Sequence, residues 1–224
     1  MTFHQQLLQA TEAERASMIA TPIIQDALQG NIQRADYIAF LTQAYHHVRH
    51  TVPLLMACGS RLPARLEWLR TAVAEYIEEE LGHQEWVLDD LVACGVDRQQ
   101  AAASQPAMAT ELMVAYAYDT IARRNPVGFF GMVLVLEGTS VALATRAAQT
   151  IETSLGLPRN AFSYLLSHGD LDVGHVDFYE NLINQLEDPD DQQAVIHAAK
   201  CFYKLYGDIF RSLRQTDAWL AEAA

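Results

Sequence analysis

Cysteine is scarce in this sequence of 224 residues, and its three copies lie far apart. Cys58, Cys94 and Cys201 are odd in number and stand in apolar stretches, which is untypical of a disulfide framework. We therefore expect reduced, buried thiols. This use of cysteine favours the cytoplasm.

Basic side chains are also few, because 15 lysines and arginines stand against 28 aspartates and glutamates, for a formal net charge of -13. Nucleic acids and anionic membrane surfaces are bound through clustered lysine and arginine. No segment of this sequence supplies such a cluster. The sequence therefore predicts no nucleic-acid partner and no anionic membrane partner.

A targeting segment and a long apolar run are missing from the sequence as well. Residues 1–6 have neither a basic region nor an uninterrupted apolar region, so they do not resemble a signal peptide. The most apolar run, residues 127–136, ends at Glu137 and is shorter than the roughly 20 residues that span a bilayer. We expect a soluble, cytoplasmic protein.

Strand-like alternation and internal repeats are absent, and apolar residues instead recur with a period of about 3.6. Thr21, Asn125 and Asp188 each precede a proline, a combination that starts helices, whereas Pro53 should kink or end one. The prediction is a single all-α domain over residues 1–224, a bundle of about seven to eight helices. The predicted helices lie near residues 3–19, 22–29, 34–57, 63–93, 106–124, 126–154, 159–186 and 189–221.

Three segments carry side chains of metal-ligand type. On a helix, His168, Asp172 and His175 are spaced i, i+4 and i+7 and share one face. Glu80 and His83 are spaced i and i+3, the arrangement with which helical bundles aim two ligands inward from one helix. A polar surface stripe would explain the first group equally well, and a chance match in an acid-rich segment would explain the second.

Glu137 is the third candidate, since it is the only charged residue between positions 125 and 145. Its helix is apolar nearly all round and is therefore expected in the core. A buried carboxylate needs a cation, a proton or a metal. A protonated Glu137 bonded to a neighbouring helix is the alternative, and Glu79 is a possible substitute for Glu80 as a ligand.

The nature of these ligands indicates the metal. Nitrogen and oxygen ligands without thiolates suit iron or manganese better than structural zinc. Six ligands are too many for one catalytic metal, but they suit two metals bridged by a carboxylate. Two irons so held would activate dioxygen.

Candidate substrate contacts lie on other helices. His46 and His50 are spaced i and i+4 and are expected to face the same cavity as the metal ligands, with Arg49 as a clamp for a carboxylate. Tyr76, one turn before Glu80, and Tyr179 are further candidates. An ordinary polar helix face is the alternative for the histidine cluster.

The ordered set of candidate ligands resembles that of the heme-oxygenase-like diiron oxidases and oxygenases, relatives of the TenA and PqqC proteins. The set is Glu80-x-x-His83, then Glu137, then His168-x-x-x-Asp172-x-x-His175. The resemblance spans roughly residues 35–185. It implies a heme-oxygenase-like bundle, two non-heme irons held by these six residues with Glu80 bridging, and a homodimer.

Proteins of that family use dioxygen to N-oxygenate amines or to cleave carbon–carbon bonds in amino acids and fatty acids. The resemblance therefore implies an enzyme, a diiron oxidoreductase that cycles between Fe(II) and Fe(III), with dioxygen and a small organic molecule as substrates. Manganese is an open alternative for the metal. A TenA-like thiamin-pyrimidine hydrolase, which would need a cysteine nucleophile, and a non-catalytic metal- or ligand-binding protein are the alternative functions.

Overall fold

The computed structural model describes residues 1–214, except for the side chains of residues 168–176. This part of the chain contains helices and no strands, which confirms the predicted all-α class. The twelve α-helices in it are α1 (Phe3–Ala10), α2 (Glu12–Ile19), α3 (Pro22–Gln29), α4 (Arg34–Val48), α5 (Thr51–Arg61), α6 (Glu67–Glu80), α7 (His83–Ala93), α8 (Arg98–Ala103), α9 (Met108–Arg123), α10 (Phe130–Leu155), α11 (Ser163–Ile183) and α12 (Pro189–Ser212).

Helix starts follow the proline pattern. Pro22 and Pro189 occupy the first positions of α3 and α12, where the missing N–H group costs no hydrogen bond. The Asp188 carboxylate accepts a hydrogen bond of 2.9 Å from the backbone N–H of Asp190 and so caps α12. These starts were predictable because capping depends on neighbouring residues alone.

The helix number was underestimated because three predicted helices are divided. The first is interrupted at Thr11, the second between Val48 and Thr51, and the third at residues 81–82. Pro53 lies in the first turn of α5, where proline is tolerated, so the chain turns before the proline instead of kinking at it. The short helix α8 was not predicted.

Helix α10 is the central element, because it packs against α3, α11 and α12. Gly131 allows a close approach between α10 and α12. A Cβ atom at this position would lie 2.5 Å from the backbone nitrogen of Ala199 and 2.8 Å from the carbonyl oxygen of Val195. The backbones of α10 and α12 are therefore in direct contact.

Two clusters of buried apolar side chains form the core, and α10 contributes to both. Residues 130 and 132–135 belong to the first cluster, with side chains from α5, α6, α9 and α12. Ala144, Ala148 and Ile151 belong to the second, with side chains from α4, α7 and α11. Residues 136–143, between the two clusters, are half-buried or exposed, and this middle stretch of α10 carries Glu137.

One segment, Pro126–Leu155, is long and apolar enough to cross a membrane by length and composition alone. Its most apolar window has a mean hydropathy of 1.8, and 56% of that window is buried inside the molecule. The apolar segment expected from the sequence, residues 127–136, was too short. Glu137 interrupts the apolar run, but the helix continues past it to Leu155.

Candidate metal centre

A cavity of about 70 Å³ adjoins the middle of α10, between the two apolar clusters. Helices α4, α5, α6, α10, α11 and α12 all contribute to its wall. The wall is largely apolar, and its acidic side chains within the described part of the chain are Glu80 and Glu137. His47, Tyr76, Tyr164 and Tyr206 supply its aromatic and imidazole groups.

Glu80 and His83 come together across a break between two helices. Helix α6 ends at Glu80, and α7 begins at His83 after Gly82, whose φ of 92° lies in the left-handed region. The His83 Nδ1 atom lies 3.0 Å from a Glu80 carboxylate oxygen, and both side chains are largely buried. The predicted single helix is therefore wrong, although the predicted pair of side chains is in contact.

Glu137 projects from α10 into the wall of the same cavity as Glu80. Its negative charge acts on two buried tyrosines. Burial, followed by the charge of Glu137, raises the pKa of Tyr76 and that of Tyr179 above the usual tyrosine value. Both phenols therefore stay protonated at neutral pH.

The two tyrosines differ in position. Tyr76 lines the cavity, and its ring packs edge to face on Phe178 at 5.3 Å between centroids. The Tyr179 hydroxyl donates a hydrogen bond of 2.8 Å to the carbonyl oxygen of Phe130, and Tyr179 is not in the cavity wall. Of the two predicted substrate contacts, Tyr76 therefore lines the cavity. Tyr179 instead forms a hydrogen bond within the core.

His168, Asp172 and His175 lie among the side chains outside the described part of the structure. Their backbone belongs to α11, which packs against both α10 and α7, the helices of Glu137 and His83. Among the described side chains, no group of three or more His, Cys, Asp or Glu residues is arranged to hold a metal ion. The structure thus brings His83 into contact with Glu80 and places Glu80 and Glu137 in one cavity wall, and the six-residue ligand set stays a prediction.

A buried carboxylate joins α11 to α7. Asp90, on α7, accepts hydrogen bonds from the backbone N–H groups of Ser163 at 2.8 Å and Tyr164 at 2.9 Å. It therefore caps the start of α11 from a neighbouring helix. Burial raises the pKa of Asp90 to about 6, despite these hydrogen bonds. This cap places the beginning of α11 against the helix that carries His83.

His46, Arg49 and His50 line a surface groove near α8 and α9 instead of the cavity of Glu80 and Glu137. The His46 Nε2 atom lies 2.9 Å from the Ser104 hydroxyl, and the His50 Nδ1 atom lies 3.2 Å from the Tyr118 hydroxyl. The expectation of a shared cavity is therefore wrong for this group, because His46 lies on a different side of α4 and Arg49 and His50 lie in the turn between α4 and α5.

His47 reaches the cavity, although the sequence analysis did not single it out as a site residue. Successive helical residues are about 100° apart, so His46 and His47 point in different directions. His47 is buried, and its ring packs edge to face on Tyr206 with 5.8 Å between centroids. The available signal was its spacing from Leu41 and Ala44, which continues the buried side of α4.

The three cysteines are free and lie outside the cavity wall. Cys58 and Cys94 are buried as predicted, while Cys201 is half-exposed. Burial raises the pKa of Cys58 to about 12 and that of Cys94 to about 11, so both stay as thiols at neutral pH. Cys201 Sγ lies 3.7 Å from His197 Nε2 on α12.

Solved structures with the same arrangement of helices define the fold class. A domain of unknown function with a heme oxygenase-like fold from Shewanella denitrificans has a TM-score of 0.84 at 21% identity, covering 100% of this chain and 97% of that one. A TenA homologue from Pseudomonas syringae has a TM-score of 0.81 at 12% identity, covering 96% and 93%. Heme oxygenase from Leptospira interrogans has a TM-score of 0.75 at 16% identity, covering 94% and 98%.

The chain thus has the heme-oxygenase-like fold that the resemblance implied. The family model described as iron-containing redox enzyme matches residues 38–207, and the chain belongs to that family. No curated protein matches the sequence.

Proposed function

We propose that the protein is a non-heme diiron oxidase or oxygenase that uses dioxygen to oxidise a small organic molecule. The observation that carries the proposal is the meeting of Glu80 and His83 at 3.0 Å beside the cavity into which Glu137 projects. Membership of an iron-containing redox enzyme family supports it.

The chemistry of these residues fits iron. Two carboxylates beside one largely apolar cavity repel each other unless a cation compensates their charge. Glu80, Glu137 and His83 offer the oxygen and nitrogen atoms that iron accepts, without a thiolate. His168, Asp172 and His175 would complete the set from α11. Bound iron would supply the electrons that activate dioxygen.

The other residues of the cavity wall determine how much water reaches the proposed centre and how much charge surrounds it. Leu54, Met132 and Val133 form an apolar wall that limits the access of water. The Tyr76 phenol stays protonated, so it adds no negative charge to the wall that contains Glu80 and Glu137. Oxidation of a substrate in this cavity would thus proceed with little competing water.

A TenA-like hydrolase is the main alternative, since a TenA homologue has the same fold. That reaction would need a thiolate nucleophile facing the cavity. Cys58 and Cys94 are buried thiols with raised pKa values, and Cys201 lies on α12 outside the wall. The cysteines therefore favour the oxidase over the hydrolase.

Heme ligation through an N-terminal histidine is a second alternative, because heme oxygenases share the fold. His4 is the candidate, and its Nδ1 atom lies 3.4 Å from the Glu180 carboxylate. Its backbone N–H donates a 2.9 Å hydrogen bond to Asn184. His4 is thus bound to the C-terminal part of α11, and it is not in the wall of the cavity that holds Glu80 and Glu137.

Two neighbouring glutamates allow a matched test. We expect Glu80→Gln to lose iron binding and iron-dependent oxygen consumption, because a carboxamide is a weak iron ligand. Glu79→Gln, which removes the same charge one residue earlier on α6, should retain both. Iron content by metal analysis and oxygen uptake with an oxygen electrode provide the measurements.

The outcomes separate the alternatives. Loss of iron from Glu79→Gln alone would assign the ligand to Glu79 instead of Glu80. Normal iron content and oxygen uptake in both variants would contradict the proposed centre. Iron binding without oxygen uptake, over a broad set of amines and acids, would favour a non-catalytic metal-binding protein.

A further inference from the structure

A second cavity, of about 90 Å³, lies between α3, α4, α10, α11 and α12. Its wall is largely apolar, and none of the described residues that the sequence predicts as site residues lines it. The wall includes Ile24, Phe40, Leu143, Ala147, Ile151 and Phe210.

Three polar side chains of the wall, Asp36, Tyr37 and Thr139, are bound within the protein. The Tyr37 hydroxyl donates a 2.7 Å hydrogen bond to the carbonyl oxygen of Ala161, and the Thr139 hydroxyl donates a 2.5 Å bond to that of Val135. Asp36 is bound by Arg214 at 2.9 Å. Most of the remaining wall is apolar, and a largely apolar cavity holds water poorly and favours apolar ligands.

The apolar cavity adjoins the candidate metal centre. Ser140, Tyr164 and Tyr206 line both cavities and therefore lie where the two meet, a boundary that we call the throat. The Tyr206 ring packs on His47 of the metal-centre cavity at 5.8 Å and on Phe210 of the apolar cavity at 4.8 Å. A ligand passing this throat would have one end in each cavity.

The apolar cavity is elongated along α10. Its wall includes Ser140, Ala144, Ala147 and Ile151, which form one stripe of that helix. At a rise of 1.5 Å per residue, Ser140 and Ile151 are about 16 Å apart along the helix axis. This shape suits an extended chain better than a compact ring.

We propose that the apolar cavity binds the unbranched alkyl part of the substrate, while the group to be oxidised passes the throat of Ser140, Tyr164 and Tyr206 toward Glu80 and Glu137. Placement of the reacting group rests on the proposed function. Binding of the alkyl chain does not, because it needs neither iron nor dioxygen.

Straight-chain primary alkanols are suitable probes, because their neutral head group is insensitive to the negative charge of the protein. Isothermal titration of the full chain with a series of increasing length should show affinity rising by about fourfold per methylene until the cavity is filled. Equal affinity at all lengths, or no binding at any length, would overturn the proposal.

Two substitutions on α10 form a matched pair. Ala147→Phe fills the cavity and should weaken the binding of the longest well-bound alkanol more than about tenfold, the loss of roughly two buried methylenes. Ala142→Phe adds the same ring at an exposed position of the same helix and should bind as the unmodified protein does. Equal binding by the two variants would contradict the assigned cavity.

A third variant covers the case in which Ala147→Phe does not fold. Leu143→Ala enlarges the same cavity and should move the limit of rising affinity to longer alkanols. An unchanged limit would also overturn the proposal. Since these measurements use no iron, alkanol binding together with a failed iron titration would contradict only the diiron function, and the reverse result would contradict only the alkyl site.

Discussion

Two neighbouring histidines of α4 show that the direction of a side chain decides whether it reaches the candidate metal centre. His46 contacts Ser104 in a surface groove, whereas His47 contacts Tyr206 at the candidate metal centre. The sequence places both on one helix but does not say which side of α4 faces the cavity. That information comes from packing between distant segments.

His46 should make stability depend on pH. Burial, followed by the positive charges of Arg49 and His50, lowers the pKa of His46 from 6.5 to about 4. The folded protein therefore resists protonation that the unfolded chain accepts at about pH 6.5. Stability is retained above pH 6.5 and is lost as the pH falls from there toward 4, by up to about 3 kcal/mol.

The substitution His46→Gln tests this pH dependence, since glutamine keeps a polar group near Ser104 and does not titrate. Urea unfolding between pH 4 and 8 should show a shallower loss of stability in acid than the unmodified protein. His197→Gln, at an exposed position of α12, should leave the profile unchanged. Parallel profiles for His46→Gln and the unmodified protein would contradict the assignment.

At the scale of helices, the break between α6 and α7 decides the geometry of the candidate centre. Gly82 has a φ of 92°, a conformation that favours glycine, and it directs the chain so that His83 begins a new helix. An uninterrupted 3.6-residue pattern does not reveal this break, because one glycine is also tolerated inside a helix. The contact between Glu80 and His83 thus depends on Gly82.

Replacing Gly82 by alanine should cost about 1 kcal/mol of stability, because an L side chain is strained at positive φ. It should also weaken iron binding by moving His83 relative to Glu80. Gly156→Ala is the matched control, since Gly156 has a φ of 62° at the end of α10, away from the centre. It should lose similar stability but keep iron affinity. Equal iron affinity in both variants would argue against the role of this break.

Two glycines of α10, Gly131 and Gly138, should respond oppositely in stability when replaced by alanine, because only Gly131 contacts α12. Gly131→Ala should destabilise the protein by about 2 kcal/mol, because its Cβ atom would meet the backbone of α12. Gly138→Ala should stabilise it by about 0.5 kcal/mol through helix propensity, since no described atom lies within 4 Å of the added Cβ. Thermal unfolding measures both. A destabilised Gly138→Ala variant would place another group against that position.

At the scale of the whole molecule, the sequence predicted the all-α class and most of the helix positions. These features follow from local signals, such as the apolar period and the proline-marked starts at Pro22 and Pro189. The breaks at Thr11 and residues 81–82 were not predicted, because the helical pattern of apolar residues continues across them. For the site as well, local motifs could be predicted, whereas features that depend on the packing of distant helices could not.

The pairing of Glu80 with His83 near Glu137 could be expected from the motif, but the direction of the α4 side chains and the apolar cavity could not. The cavity is formed by α3 and α4 together with α10, α11 and α12 from the second half of the chain, and no local sequence pattern predicts that these helices meet. The homodimer, the cytoplasmic location and the single-domain organisation stay predictions.

The most direct test of the account is an anaerobic titration of metal-free protein with Fe(II), followed by exposure to dioxygen and recording of the optical spectrum. We predict saturation at two irons per chain and an oxygen-dependent change in absorbance. Failure to bind iron at a fixed ratio, with no spectral response to dioxygen, would contradict the assignment of Glu80, His83 and Glu137 to a metal centre.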